Sequence, residues 1–276
     1  MARSMTLTPS IHPYPARPLE GRTVLVTGGA QGIGRGIAQA VLGAGGSVCI
    51  GDTDAAAGRA ALEEWDVGDR ALFVRVDVAK EAQVARFVDR AAAHFGAIHG
   101  LVNNAGIPDP VSGPLERLEV REWQRRLDAS LGGAFLCSKH TLPHLRAEAA
   151  EGDGAASIIN IASTRAHQSE PDCEAYAAAK GGLVAFTHAL AVSAGPAVRV
   201  NCISPGWIAT DAWRKPAARR RPRLSKRDHA QHPAGRVGSP EDIGALAVHL
   251  LSPASGFTTG QEFIVDGGMT RRMRYD

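Results

Sequence analysis

The chain has 276 residues, of which 44% are hydrophobic, 21% charged and 5% aromatic, and its formal net charge at pH 7 is +3. This composition is typical of a globular protein and excludes disordered, fibrous and disulfide-stapled classes. No apolar run reaches the roughly 18 residues that a membrane helix needs, and the first residues lack the apolar core of a secretory signal. We therefore expect no membrane association.

Residues 1–20 are rich in proline and predict a flexible N-terminal tail. From residue 21 to 276, short apolar runs alternate with amphipathic stretches, which predicts a single α/β domain with a doubly wound parallel sheet of about seven strands and helices on both faces. The predicted strands are Thr23–Thr27, Ser47–Gly51, Ala71–Val76, Ile98–Asn103, Ser157–Ile161, Val198–Ile203 and Glu262–Val265. The predicted helices cover about 33–44, 54–65, 80–95, 119–148, 174–193 and 240–251.

A glycine-rich turn follows the first predicted strand and opens a helix. Glycines let the backbone turn sharply and approach a pyrophosphate, and the helix N-terminus offers free N–H groups to an anion. The spacing is GxxxGxG rather than GxGxxG, so an ordinary glycine-rich turn is the alternative interpretation. The residues predicted to contact a dinucleotide here are Gly28, Gln31, Gly32, Ile33 and Gly34.

An aspartate ends the second predicted strand. The carboxylate of Asp52 can accept hydrogen bonds from both hydroxyls of an adenosine ribose and would repel a 2′-phosphate, and Gln31 supplies no cation to offset it. NAD is therefore favoured over NADP, although Asp52 could instead cap the next helix. Asp77 and Val78 follow the third strand, where they would meet the adenine edge or cap a helix.

Tyr176 and Lys180 are four residues apart in a helical pattern and therefore share one helix face. A nearby ammonium should lower the pKa of the tyrosine and suit it to proton transfer. Ser163 offers a hydroxyl that can hold a substrate oxygen during hydride transfer. Taken alone, the tyrosine and lysine would be read as an exposed helix pair.

These residues resemble the short-chain dehydrogenase/reductase family in its NAD(P)-dependent form, over residues 21–268. Asn103–Gly106 resembles the family's NNAG, Tyr176–Lys180 its YxxxK, and Ser163 stands 13 residues before the tyrosine. The resemblance implies a Rossmann-type fold and an NAD(H)-dependent oxidoreductase that interconverts a secondary alcohol and a ketone. It adds to the coenzyme-binding set Asn104, Ala105, Gly106, Tyr176, Lys180, Pro205, Gly206, Ile208 and Thr210.

One position departs from the family pattern. Aligning Trp123, Gly133 and Phe135 places Ser130 where the family carries an asparagine that supports the proton relay from the lysine. A serine hydroxyl is shorter and positions water differently. We therefore expect Ser163, Tyr176, Lys180 and Ser130 as the catalytic set, and a catalytically weak dinucleotide-binding protein of the same fold as the alternative.

Between residues 214 and 227 the chain carries eight Lys and Arg side chains and no acid, so the rest of it is net acidic. This run falls in the family's mobile substrate lid, here at about 208–235, where it could attract an anionic substrate; a solvated charge run is the alternative. Aromatic residues are few, so no nucleic-acid partner is expected.

Four dispersed cysteines without a CxxC pair indicate a reducing cytoplasmic location and neither a zinc nor a redox motif, and no metal is expected. Three residues that follow Ser163 either line the substrate pocket or belong to a solvated loop: Arg165, His167 and Gln168. Cys173, three residues before Tyr176, is a further candidate for the edge of the pocket. The family resemblance further implies a homo-oligomer, a tetramer or a dimer.

Overall fold

The computed structural model describes residues 16–151, without the side chain of residue 151, and residues 156–273. Seven parallel strands form one sheet in the order β3-β2-β1-β4-β5-β6-β7. The strands are β1 Thr23–Thr27, β2 Ser47–Asp52, β3 Ala71–Arg75, β4 Gly100–Asn103, β5 Ala156–Ile161, β6 Val198–Pro205 and β7 Glu262–Val265. The predicted doubly wound α/β fold is confirmed.

Helices cover both faces of the sheet. They are α1 Gly32–Gly43, α2 Ala55–Trp65, α3 Glu81–Phe95, α4 Val120–Leu127, α5 Gly133–Glu151, α6 Glu174–Ala194, α7 Lys226–Ala230 and α8 Pro240–Leu251. One core cluster lies under α1 and α8 and a second under α3 and α5. Strands β1, β5 and β6 are buried along their whole length, as strands covered on both faces must be.

Two predicted segments differ from the structure. The helix predicted at 119–148 is interrupted, because a π-helical turn at Asp128–Gly132 separates α4 from α5. The boundary predicted at residue 21 is wrong, because Leu19 is fully buried in the core under α1 and the packed domain therefore begins before residue 21. Residues 1–15 lie outside the described residues.

Among the described residues, α6 is the one helix whose length and composition would allow it to cross a membrane. It carries Lys180, which is buried and whose ammonium donates to the carbonyl of Ile161 at the end of β5. These contacts are those of a helix packed on the sheet of a folded domain.

Candidate active site

The glycine turn lies where β1 ends and α1 begins. Gly28 and Gly32 have φ angles of +62° and +59°, which side chains rarely adopt. A Cβ atom at Gly28 would come within 2.9 Å of Nδ2 of Asn104, and Gly34 packs even more tightly against the same turn. The turn therefore requires glycine at these positions, and it leaves Gln31 as the N-terminal cap residue of α1.

Asn104 links the end of β4 to this turn by hydrogen bonds. Its Nδ2 donates to the carbonyls of Thr27 and Gly28, both at 3.0 Å. The hydroxyl of Thr27 accepts hydrogen bonds from the backbone N–H groups of Asn104 and Ala105, both at 3.1 Å. The role of Thr27 was not predicted. The sequence does show a hydroxyl side chain at the last position of the first strand, just before the glycine turn, and this position could have indicated the role.

Asp52 ends β2 beside the turn, as predicted, and its carboxylate accepts hydrogen bonds from the N–H groups of Ala30 at 3.1 Å and Asp54 at 3.0 Å. Burial raises its pKa, although these hydrogen bonds act in the opposite direction. The side chain that caps α2 belongs to Asp54. The structure thus gives the capping role to Asp54 and leaves Asp52 facing the glycine turn.

Asp77 borders an open cavity of about 370 Å³ beyond the ends of β2 and β3, where an adenine would be expected. Its Oδ1 also accepts a hydrogen bond from the N–H of Ala79 at 3.0 Å. The N-cap residue of α3 is Lys80, so the alternative prediction that Asp77 caps this helix is wrong. Val78 is buried, and its side chain packs against Gly133 at the start of α5. The residues that line the cavity are Thr53, Arg75, Val76, Asp77 and Gln83.

The chain that leaves β6 returns to the glycine turn. Pro205 ends the strand, Gly206 packs tightly on the end of β7, and Ile208 forms an isolated parallel bridge with the chain just before α8. The Cγ2 atom of Thr210 lies 3.7 Å from the position that a Cβ atom at Gly32 would occupy. The structure therefore brings the two predicted coenzyme-binding segments together.

Ser163, Tyr176 and Lys180 meet at the carboxyl end of β5. The hydroxyl of Ser163 lies close enough to the phenol of Tyr176 to act on its pKa. The Nζ atom of Lys180 lies 5.6 Å from the centroid of the tyrosine ring and donates to the carbonyl of Ile161 at 2.8 Å. The helix α6 is thus fixed to the strand from which the serine emerges.

Burial dominates the electrostatics of these groups. It raises the pKa of Tyr176, against the opposite effects of the Ser163 hydroxyl and the charge of Arg165. It also lowers the pKa of Lys180 to about 8. The expectation of a lowered tyrosine pKa is therefore wrong in this structure, because removing the phenol from water outweighs the favourable charges around it.

Ser130 lies in the π-helical turn and is buried. A Cβ atom at Gly106 would lie 2.8 Å from the Oγ of Ser130 and 3.8 Å from the Nζ of Lys180. The serine hydroxyl and the ammonium therefore lie next to the same glycine, which is compatible with a proton relay that uses both. Single π-turns within α-helices are frequent at functional sites, and here the turn contains the buried Ser130.

The basic run is held against the coenzyme half of the site. The backbone N–H of Lys215 donates to Oε1 of Gln31 at 3.1 Å, and its Nζ atom lies 2.8 Å from Oδ2 of Asp54. Arg219 pairs with Glu64 at 2.9 Å. Sequence patterns could not show these contacts, because the partners lie more than 150 residues apart along the chain.

A second charged cluster lies near Tyr176. The guanidinium of Arg165 donates from Nη1 to the Sγ of Cys173 at 3.1 Å and from Nη2 to Glu170 at 2.7 Å. His167, which follows on the same turn, pairs instead with Glu262 on β7 at 2.8 Å. Of the predicted pocket residues, Arg165 and Cys173 thus lie together, whereas His167 turns to the sheet edge.

A doubly wound sheet with a glycine turn after β1 and a Ser–Tyr–Lys set after β5 defines an oxidoreductase fold that binds a nicotinamide dinucleotide. Residues 28–270 match the family model described as enoyl-(acyl carrier protein) reductase. The chain belongs to the short-chain dehydrogenase/reductase family, and the predicted resemblance is confirmed.

Known relatives are similar over nearly the whole chain. An uncharacterized oxidoreductase of Thermotoga maritima is 47% identical, over 94% of this chain and 99% of the relative. Cis-4-hydroxycyclohexanecarboxylate dehydrogenase of Sinomonas cyclohexanicum is 38% identical, over 90% of this chain and 96% of the relative. The structure of 3-ketoacyl-(acyl-carrier-protein) reductase from Brucella melitensis complexed with NADH matches with a TM-score of 0.81 at 33% identity, covering 91% of this chain and 99% of that one.

Proposed function

We propose that the protein interconverts a secondary alcohol and a ketone with NAD(H), using Tyr176 as the acid and base. The observation that carries the proposal is the meeting of Ser163, Tyr176 and the buried Lys180 beside a glycine turn. Two hydroxyls and an ammonium close together can bind the oxygen of an alcohol or a carbonyl and transfer a proton to or from it.

Each side chain has a separate task. The Oη atom of Tyr176 takes the proton of the substrate hydroxyl during oxidation and returns it during reduction. The Oγ atom of Ser163 holds the substrate oxygen in line with the phenol. The ammonium of Lys180, 5.6 Å from the ring centroid, favours the phenolate, and Ser130 lies where it can pass the proton onward. The bound nicotinamide supplies the hydride acceptor or donor.

The groups around the glycine turn fit a dinucleotide. A pyrophosphate can approach the backbone at Gly28 and Gly32, and Asp52 offers carboxylate oxygens for ribose hydroxyls. Asp52 supports NAD as the coenzyme, because a 2′-phosphate would meet its negative charge. Lys215 brings one cation to this region, but its ion pair with Asp54 offsets that charge.

The proposal is tested by NAD reduction with a panel of secondary alcohols that includes cyclic hydroxy acids, sugars, polyols, hydroxysteroids and 3-hydroxyacyl compounds. The relative that acts on cis-4-hydroxycyclohexanecarboxylate supports placing that compound first. Turnover that disappears when Tyr176 is changed to Phe supports the proposal. Binding of NAD without turnover of any alcohol would favour a catalytically weak dinucleotide-binding protein.

We also propose a cytoplasmic homo-oligomer, a tetramer or a dimer, that acts on small molecules and has neither nucleic-acid nor membrane partners. Phe135 on α5 and Val192 on α6 support the oligomer, because both are large apolar side chains left exposed on the single chain. Light scattering of the purified protein measures the number of subunits.

A further inference from the structure

Arg165 is fixed to both elements that carry the reacting hydroxyls. Its backbone N–H donates to the Oγ of Ser163 at 3.2 Å, and its Nη1 atom donates to the Sγ of Cys173 at 3.1 Å. Cys173 directly precedes α6, three residues before Tyr176. The guanidinium therefore lies near the catalytic hydroxyls, and its charge acts on the phenol.

The guanidinium has spare capacity to bind an anion. It carries five N–H donors. Within the described residues, one donates to a thiol, which is a weak acceptor, and one to Glu170. The side chain of Glu170 is 68% exposed, so water screens this ion pair and competes with it. The side chain of Arg165 is 23% exposed, which leaves it accessible while holding it in place.

Two cations of the basic run are paired elsewhere. Lys215 and Arg219 pair with Asp54 and Glu64, which belong to the cap and the body of α2 beyond β2. Both ion pairs are on the coenzyme side of the sheet. Unlike these two cations, Arg165 has a position that is tied to the serine and to the start of the helix that carries the tyrosine.

We propose that Arg165 binds a carboxylate of the substrate, so that the alcohol oxidised at Tyr176 is a hydroxy acid, and that Glu170 pairs with the guanidinium until the substrate replaces it. This inference rests on the proposed function, because it presumes that an alcohol binds at Ser163 and Tyr176. A carboxylate presents two coplanar oxygens that match the fork of one guanidinium. A phosphate dianion would bring a second negative charge beside the carboxylate of Glu170.

The experiment compares cis-4-hydroxycyclohexanecarboxylate with its methyl ester, which differ in charge but present the same alcohol. The readout is the ratio of kcat/KM for the acid to kcat/KM for the ester. Arg165→Met should lower this ratio at least about tenfold, because charge-assisted hydrogen bonds contribute more than one tenfold step. Any effect of Arg165 on the phenol cancels in the ratio, since both substrates meet the same Tyr176.

Two further variants refine the test. Glu170→Gln should raise the ratio, because the competing carboxylate is gone. Arg165→Lys should lower the ratio less than Arg165→Met does, because lysine keeps the charge but cannot bind both carboxylate oxygens in the bidentate geometry of a guanidinium. The Lys variant also provides the test if the Met variant fails to fold. Arg86→Met is the matched control, since Arg86 is an exposed arginine on α3, and it should leave the ratio unchanged.

Equal losses for the acid and the ester in the Arg165 variants would overturn the carboxylate assignment while leaving the proposed function intact. If the wild type oxidises neither compound, inhibition of its best alcohol by cyclohexanecarboxylate is measured instead. No inhibition, or inhibition unchanged by Arg165→Met, would overturn the assignment as well. A protein that oxidises no alcohol of the panel overturns the proposed function, and this inference with it.

Discussion

The ammonium of Lys180 lies 5.6 Å from the centre of the Tyr176 ring and donates to the carbonyl of Ile161 at 2.8 Å. Among the described residues, no acidic side chain pairs with this buried charge. Burial alone lowers its pKa to about 8. The fold therefore carries a charge that is poorly solvated, and its cost to stability should be measurable.

Lys180→Met should make the protein more stable at pH 7 by up to about 3 kcal/mol, because one pKa unit corresponds to about 1.4 kcal/mol. The folded-state pKa of about 8 lies below the unfolded value of 10.5, so the unfolded chain binds more protons between these values. The stability of the wild type therefore rises with pH across this window, and the advantage of the variant shrinks. Urea unfolding at several pH values measures both effects.

The loss of the hydrogen bond to Ile161 acts against this gain, so Lys180→Gln is a useful control that keeps a donor without the charge. A Met variant that is less stable than the wild type at pH 7, with a pH dependence parallel to it, would contradict the prediction. Both variants should lose turnover, because the phenolate loses its neighbouring charge.

Tyr176→Phe should lower kcat by about two to four orders of magnitude while NAD affinity changes little. The reason is that the change removes the transferable proton and leaves the dinucleotide contacts in place. Since burial raises the pKa of the tyrosine, the rate of alcohol oxidation by the wild type should rise through the alkaline range. Steady-state rates as a function of pH measure both effects, and a Phe variant with most of its kcat would refute the assignment.

Ser130→Ala should reduce turnover without weakening NAD binding, because the hydroxyl borders Gly106 and the ammonium of Lys180. Ser130→Asn should keep or improve turnover, since the amide is longer and can hold a water in the same place. The measurement is kcat beside the dissociation constant of NAD. Ser138→Ala is a matched control, because Ser138 is also buried and contacts Asn103 instead. An Ala variant at position 130 with unchanged kcat would place the relay elsewhere.

The ends of the strands were predicted to within about two residues and those of most helices to within one. The reason is that buried strands and amphipathic helices leave strong local patterns in the sequence. The π-turn at Asp128–Gly132 was missed, and the neighbours of its Ser130, Gly106 and Lys180, are distant in the sequence and leave no local pattern. The direction of the Tyr176 pKa was also missed. Neighbouring charges can be read from spacing, but the depth of burial cannot.

The coenzyme preference should be at least about tenfold in favour of NAD over NADP, measured as the ratio of the two kcat/KM values. We attribute this expected preference to Asp52, because its carboxylate would accept hydrogen bonds from ribose hydroxyls and repel a phosphate. Asp52→Asn should reduce the ratio. Asp54→Asn should also reduce it, because Lys215 would lose its partner beside the ribose end of the site. Equal use of both coenzymes by the wild type would contradict the assignment of Asp52.

The basic run should be more ordered than its like charges suggest, because two of its cations have acidic partners on the body of the protein. Glu64 pairs at once with Arg219 and with the buried Arg35, so the contact of Arg219 is anchored to α1 as well as α2. Lys215→Met combined with Arg219→Met should therefore speed amide hydrogen exchange across residues 211–224 and raise the KM for NAD severalfold.

High salt should act in the same direction on the wild type, because these ion pairs are partly exposed and the Debye length falls from about 10 Å at 0.1 M to about 3 Å at 1 M. The matched control is Arg220→Met combined with Arg221→Met, which removes two exposed cations of the same run and leaves both ion pairs intact. Equal exchange rates in the two double variants would show that the acidic partners do not hold the segment. If residues 211–224 of the wild type already exchange as fast as an unstructured chain, the ion pairs do not hold the segment either. The basic run is then a solvated loop.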